Sequence, residues 1–135
     1  MYKVSKIDGW CLIFLAALTV GIIFTSINAE AGYGAIAYSK ATGNYGYSHG
    51  YRSREEAIWE AERRCGTEDC RWVVWFKDSC GALAVADNGG TGYSHGYRSA
   101  EQARQRALAE CSRRGPNCRI LCWSCSGNER RGRRW

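Results

Sequence analysis

The sequence predicts an α+β domain, internally duplicated as two strand–strand–helix–strand copies around a shared sheet, related by a pseudo-two-fold axis and stapled by disulfides. Three observations predict it. The octapeptide Gly-Tyr-Ser-His-Gly-Tyr-Arg-Ser stands at 46–53 and again at 92–99. Matches extend on both sides: Gly34-Ala35-Ile36-Ala37 with Gly81-Ala82-Leu83-Ala84, Cys65 with Cys111, and Cys70-Arg71 and Trp75 with Cys118-Arg119 and Trp123. Cysteine is dense, at 8 in 135 residues. In a short exported chain that density marks a covalent framework, because a small core alone gives marginal stability.

Residues 1–31 read as a secretory signal: Lys3 and Lys6 in front, an apolar run from Trp10 to Phe24, then small residues. Ala29-Glu30-Ala31 has the form that signal peptidase reads, so cleavage is expected after Ala31, with Ala29 as second choice. The competing reading is an uncleaved anchor, since Trp10 to Ile27 is near the lower length limit for spanning a bilayer. On either reading the folded part lies outside the cytoplasm, secreted or periplasmic, and the signal's contact with the membrane is transient if it is removed.

Residues 32–125 are expected to form one domain, with copy one at 33–79 and copy two at 80–125; a chain of this length has surface enough to bury one core and not two. Each copy opens with a short run of apolar and small residues, Tyr33 to Tyr38 and Gly81 to Ala86. A Gly/Asn-rich turn and a Tyr/Ser segment follow, which predicts a hairpin. Ser53 with Glu56, and Ser99 with Gln102, are capping boxes that start a helix. Ala57, Ala61 and Cys65 then recur every fourth residue, as do Ala103, Ala107 and Cys111, giving each helix a narrow small-residue face that can lie close against a sheet. Arg71 to Phe76 and Arg119 to Trp123, rich in β-branched and aromatic residues, read as strands. The octapeptide reads as the hairpin-to-helix junction, with Gly50 and Gly96 supplying permissive dihedrals. Neither copy buries enough surface alone, so the two share a core. Two units fall below the usual minimum for a stacked solenoid.

Residues 126–135 form a basic tail. The formal net charge is +6, and the excess gathers in Arg130, Arg131, Arg133 and Arg134. A short charge run beside glycine reads as a solvated, solubilising end; clustered guanidinium groups would also attract anionic lipid, polysaccharide or nucleic acid. No specific nucleic-acid partner is expected.

With Cys11 in the signal, seven cysteines remain. Cys65 and Cys70 flank the helix-to-strand turn of copy one, and Cys111 and Cys118 flank that of copy two, so local pairing is the simplest assignment. Cys80 begins copy two and Cys125 ends it. On chain-entropy grounds a bridge between them would stabilise by roughly 4 kcal/mol, against about 2 kcal/mol for the short loop. Other connectivities stay open, because sequence does not settle pairing. Cys122 is left over, at the position of Val74 in copy one, which suggests a buried, inert thiol; the odd count also allows a dimer through Cys122. Cys118-x3-Cys122-x2-Cys125 has the spacing of the iron–sulfur motif of radical enzymes that cleave S-adenosylmethionine, but the chain is too short for their barrel and two of the three cysteines have disulfide roles. No metal or other cofactor is expected.

For chemistry, His49 and His95 are the only histidines and stand at the same place in the two octapeptides. Two imidazoles meeting across the axis, beside Ser48, Ser94, Tyr47 and Tyr93, would shape a metal or acid/base site. No third group completes such a constellation, and no nucleophile motif, paired-carboxylate pattern or phosphate loop is visible. Trp59, Trp72, Trp75 and Trp123, with Tyr45, Tyr47, Tyr51, Tyr93 and Tyr97, beside Arg71, Arg119 and Ser/Tyr hydroxyls, offer stacking and hydrogen bonds to a glycan or peptide. Strand tryptophans usually belong to the core. Trp59 differs, because its copy-two counterpart is the polar Gln105. The candidate ligand-contacting residues are therefore His49, Tyr51, Arg52, Trp59, His95, Tyr97 and Arg98, with no catalytic residue.

Tyr33-Gly34-Ala35-Ile36-Ala37-Tyr38, the Cys65-x4-Cys70 pair leading into Arg71-Trp72-Val73-Val74-Trp75-Phe76, and Cys80-Gly81-Ala82-Leu83-Ala84-Val85 together resemble the bacterial domain-of-unknown-function 4189 family, over Tyr33 to Cys125. The resemblance implies a small exported α+β protein with no established enzymatic activity and six recurring cysteines, which map onto Cys65, Cys70, Cys80, Cys111, Cys118 and Cys125. Cys122 and the arginine-rich tail depart from it. The expectation is a non-enzymatic binding or inhibitor-type module that engages a protein or envelope glycan through the face carrying the two octapeptides. The alternatives are a histidine-centred hydrolase or metal-dependent enzyme, and an envelope structural protein linked through Cys122.

Overall fold

A computed structural model describes residues 32–127. The expected signal at 1–31 and nearly all of the basic tail lie outside them. Among the described residues no helix is long and apolar enough to cross a membrane. The elements run β1 (Tyr33–Tyr38), β2 (Tyr45–Tyr51), α1 (Arg54–Cys65), β3 (Arg71–Lys77), β4 (Cys80–Val85), β5 (Thr91–Tyr97), α2 (Ala100–Ser112) and β6 (Arg119–Cys125). This is the duplicated strand–strand–helix–strand order that the repeat predicts.

The strands do not form one shared sheet. They form two antiparallel three-stranded sheets, ordered β2-β1-β3 and β5-β4-β6, that pack face to face. The reason lies in the central strands. In β1 and β4 both faces are buried: Ala35 and Ala37, like Ala82 and Ala84, face a helix, while Ile36 and Leu83 face the opposite sheet. A strand with apolar residues on both faces needs a layer on each side. The layers are therefore helix, sheet, sheet, helix. β2 lies against β6, β5 lies reciprocally against β3, and β1 meets β4 between them, the reciprocity expected of a two-fold contact. Ile36, Val74, Phe76, Leu83 and Cys122 fill the space between the sheets.

The helices dock as their small-residue faces predict. Ala57, Ala61, Ala103, Ala107 and Cys111 are fully buried, and the Ser53 and Ser99 hydroxyls accept the N–H of Glu56 and Gln102, each at 3.2 Å. The bridges are Cys65–Cys70, Cys80–Cys125 and Cys111–Cys118. Three disulfides in so small a domain belong to an oxidising, extracellular or periplasmic environment.

Candidate functional site

The octapeptide is mostly strand: its first six residues run to the end of β2 and of β5, and only its last two, Arg52-Ser53 and Arg98-Ser99, make the junction to the helix. Its small residues answer to the helix above them. A Cβ on Gly46 would come within 2.2 Å of the Ala61 carbonyl oxygen, and one on Gly92 within 2.3 Å of that of Ala107, so only glycine lets helix and strand approach this closely. Ser48 Oγ donates to the Ala57 carbonyl at 2.7 Å and accepts from the Ala35 N–H at 3.1 Å; Ser94 Oγ donates to the Ala103 carbonyl at 2.6 Å. His49 and Gly50 together oppose Gly34, and His95 and Gly96 oppose Gly81, as β-bulges. Gly50 and Gly96 hold φ of 77° and 81°, the left-handed conformation that glycine adopts without strain.

The remaining octapeptide side chains are dispersed. Tyr51 and Tyr97 pack half-buried beside the helix-facing cores, while Arg52 and Arg98 are exposed. His49 lines a groove of about 480 Å³ with Tyr45, Tyr47, Leu121 and Trp123, between β2 and β6. His95 lines a different one, of about 270 Å³, with Tyr93, Arg106, Glu110 and Arg114. The two imidazoles thus belong to separate grooves. Among the described residues no three His, Cys, Asp or Glu side chains cluster as a metal site, and Cys118 and Cys125 of the iron–sulfur spacing are both in disulfides.

Trp59 leads to a third groove, of about 380 Å³, bounded by α1 and β3 and lined by Arg54, Glu55, Ile58, Trp59, Glu62, Trp72 and Trp75. Trp59 is 64% exposed and Trp72 46%. Trp72 and Trp75, three apart, would face opposite sides of a regular strand. A bulge at Val73 corrects this, pairing Trp72 with Ala37 and Trp75 with Ala35, both on the helix side. The Arg54 guanidinium lies 5.4 Å from the Trp75 ring centre and that of Arg63 5.8 Å from Trp59. Carboxylates hold these cations: Glu55 pairs with Arg54 at 3.0 Å and Glu60 with Arg63 at 2.8 Å. The Glu55 carboxyl sits below its ordinary range, held there by its own backbone N–H and then by Arg54. Hydrogen bonds from Arg63 and Arg64 bring Glu60 down to about 2, so the clamp on Arg63 holds down to that pH and loosens as acid protonates the carboxyl. Glu62 Oε1 accepts the Trp72 backbone N–H at 3.0 Å.

Residues 33–125 match the family described as Domain of unknown function (DUF4189). The chain belongs to that family. The NMR structure of Rv1813c from Mycobacterium tuberculosis is similar to this DUF4189 domain, with 26% sequence identity and a TM-score of 0.53 over 75% of this chain and 80% of that one. No curated protein matches the chain.

The six cysteines that the DUF4189 resemblance maps are the six in bridges, and Cys122 is buried between the sheets of the domain. Burial pushes its thiol up to about 12 from an ordinary value of 9, and Val74 occupies the equivalent place. Cys122→Val should therefore change stability by less than about 1.5 kcal/mol, whereas Cys122→Ser, which leaves a hydroxyl between the sheets, should cost about 1–3 kcal/mol in urea unfolding. The unfolded chain loses the thiol proton near pH 9 and the native one near 12, so the stability that the neutral thiol contributes is complete below 9 and drains away above it. Wild type and Cys122→Ser are expected to run alike on non-reducing gels.

Proposed function

We propose that this domain is a non-enzymatic binding module acting outside the cytoplasm on a protein or an envelope glycan, and that the groove of Trp59, Trp72 and Trp75 is its contact surface. One observation carries this reading: copy two is an internal control for what the fold requires, and it keeps one of the groove's three indoles, Trp123 for Trp75 with Arg104 over its ring, and not the other two. Gln105 stands for Trp59, Ile120 for Trp72, Leu108 for Glu62 and Ala100 for Arg54. Copy two packs its helix on its sheet with those residues, so the exposed indoles of copy one are not needed for folding. Large exposed aromatics beside arginine are the composition of binding hot spots.

The test is to give copy one the residues of copy two. The double variant Trp59→Gln, Trp72→Ile is expected to keep wild-type stability to within about 1 kcal/mol, and to lose the partner that wild type retains when crosslinked and pulled down from the native envelope fraction. Undiminished capture by the double variant would remove the groove from the function.

A further inference from the structure

The charge of the tryptophan groove runs against that of the chain. Glu55 and Glu62 line it against the single guanidinium of Arg54, in a protein of formal net charge +6. That guanidinium is already committed to Glu55 and to the face of Trp75. Trp59 has Arg63 over its ring, held by Glu60. Two of the three indoles thus stack a guanidinium from α1, Trp75 from across the groove and Trp59 from its own helix, each steadied by a carboxylate. Trp72 also exposes its ring in this groove, which Glu62 lines with it; Glu62 Oε1 accepts the Trp72 backbone N–H, and among the described residues no guanidinium of this chain stacks on the ring.

We infer that Trp72 and Glu62 form a third position of the same kind, filled by an arginine from an extended segment of a partner protein. The inference rests on the groove being the contact surface. The negative face of an indole attracts cations, and planar guanidinium stacks there better than ammonium while donating to a carboxylate. An extended segment suits the place because β3 is an edge strand and the groove runs beside it. A neutral saccharide would also stack on the rings and donate its hydroxyls to a carboxylate, but it brings no positive charge to match the excess.

The experiment titrates the oxidised protein with acetylated tetra-arginine, acetylated tetra-lysine and a neutral glucose hexasaccharide, read by calorimetry and tryptophan fluorescence. Tetra-arginine is expected to bind roughly ten-fold more tightly than tetra-lysine, and to weaken with added salt. Trp72→Ile and Glu62→Leu, both copy-two residues, should each weaken it several-fold with the far-ultraviolet circular dichroism unchanged. Equal affinity for the two peptides, or tetra-arginine binding indifferent to Trp72→Ile, overturns the inference. Hexasaccharide binding that requires Trp72, without peptide binding, overturns it too while leaving the groove as the contact surface. No binding of either kind, together with undiminished partner capture by the Trp59→Gln, Trp72→Ile variant, removes both.

Discussion

Phe76→Ala is expected to destabilise the domain by about 3–5 kcal/mol, seen as a lower urea midpoint with an unchanged slope. The ring is 2% exposed and lies between the two sheets with Ile36, Val74, Leu83 and Cys122. It rests over the hollows of two glycines, one from each copy: a Cβ on Gly34 would come within 2.4 Å of the ring and one on Gly81 within 2.7 Å. Its copy-two counterpart is the small Ser124, whose hydroxyl reaches the Ser48 carbonyl at 3.4 Å. A single ring thus fills the joint between the copies, and the backbone on either side cannot collapse far into the space it would leave. A loss below about 1 kcal/mol would mean that the sheets do not pack through this residue.

Removing the Cys80–Cys125 bridge as Cys80→Ala, Cys125→Ala should cost roughly 4 kcal/mol, against about 2 kcal/mol for Cys65→Ala, Cys70→Ala. The difference follows from the chain enclosed, since the sequence separations are 45 and 5. The long bridge ties the first residue of β4 to the last of β6, which are paired in the sheet, so it holds the ends of copy two together. Small domains have about 5–15 kcal/mol in all, and the variant should be partly unfolded near body temperature by circular dichroism. Equal losses for the two pairs would show that the bridges act through native packing and not through the unfolded chain.

Much of this was legible because it is written locally. The cap serines, the alanine and cysteine faces of α1 and α2, and the strand segments each depend on residues within a few positions, and the repeat showed each of them twice. The places of the cysteines in the repeat made the observed pairing the simplest assignment, and the structure selects it from the connectivities left open. Trp59 was singled out because Gln105 broke that repeat. Trp72 and Trp75 offer stacking surfaces, against the habit of strand tryptophans to join the core; that they share a face with Trp59 was not legible, because a regular strand puts them on opposite faces and no local feature announces the bulge at Val73. The octapeptide reads as a junction because of its permissive glycines and cap serines; contact with α1 and α2 explains why Gly46, Ser48, Gly92 and Ser94 stand in strands instead.

The sequence by itself determined the duplicated α+β order, the helix starts and the simplest cysteine pairing, because periodicity, capping and spacing are properties of neighbouring residues. Only the tertiary structure decided that the copies form two facing sheets, that His49 and His95 lie in different grooves, and that Trp59, Trp72 and Trp75 share one. Those outcomes depend on which faces of β1 and β4 are covered and where the strands bulge. Both are settled by packing between residues far apart in the chain, such as Phe76 against Gly81.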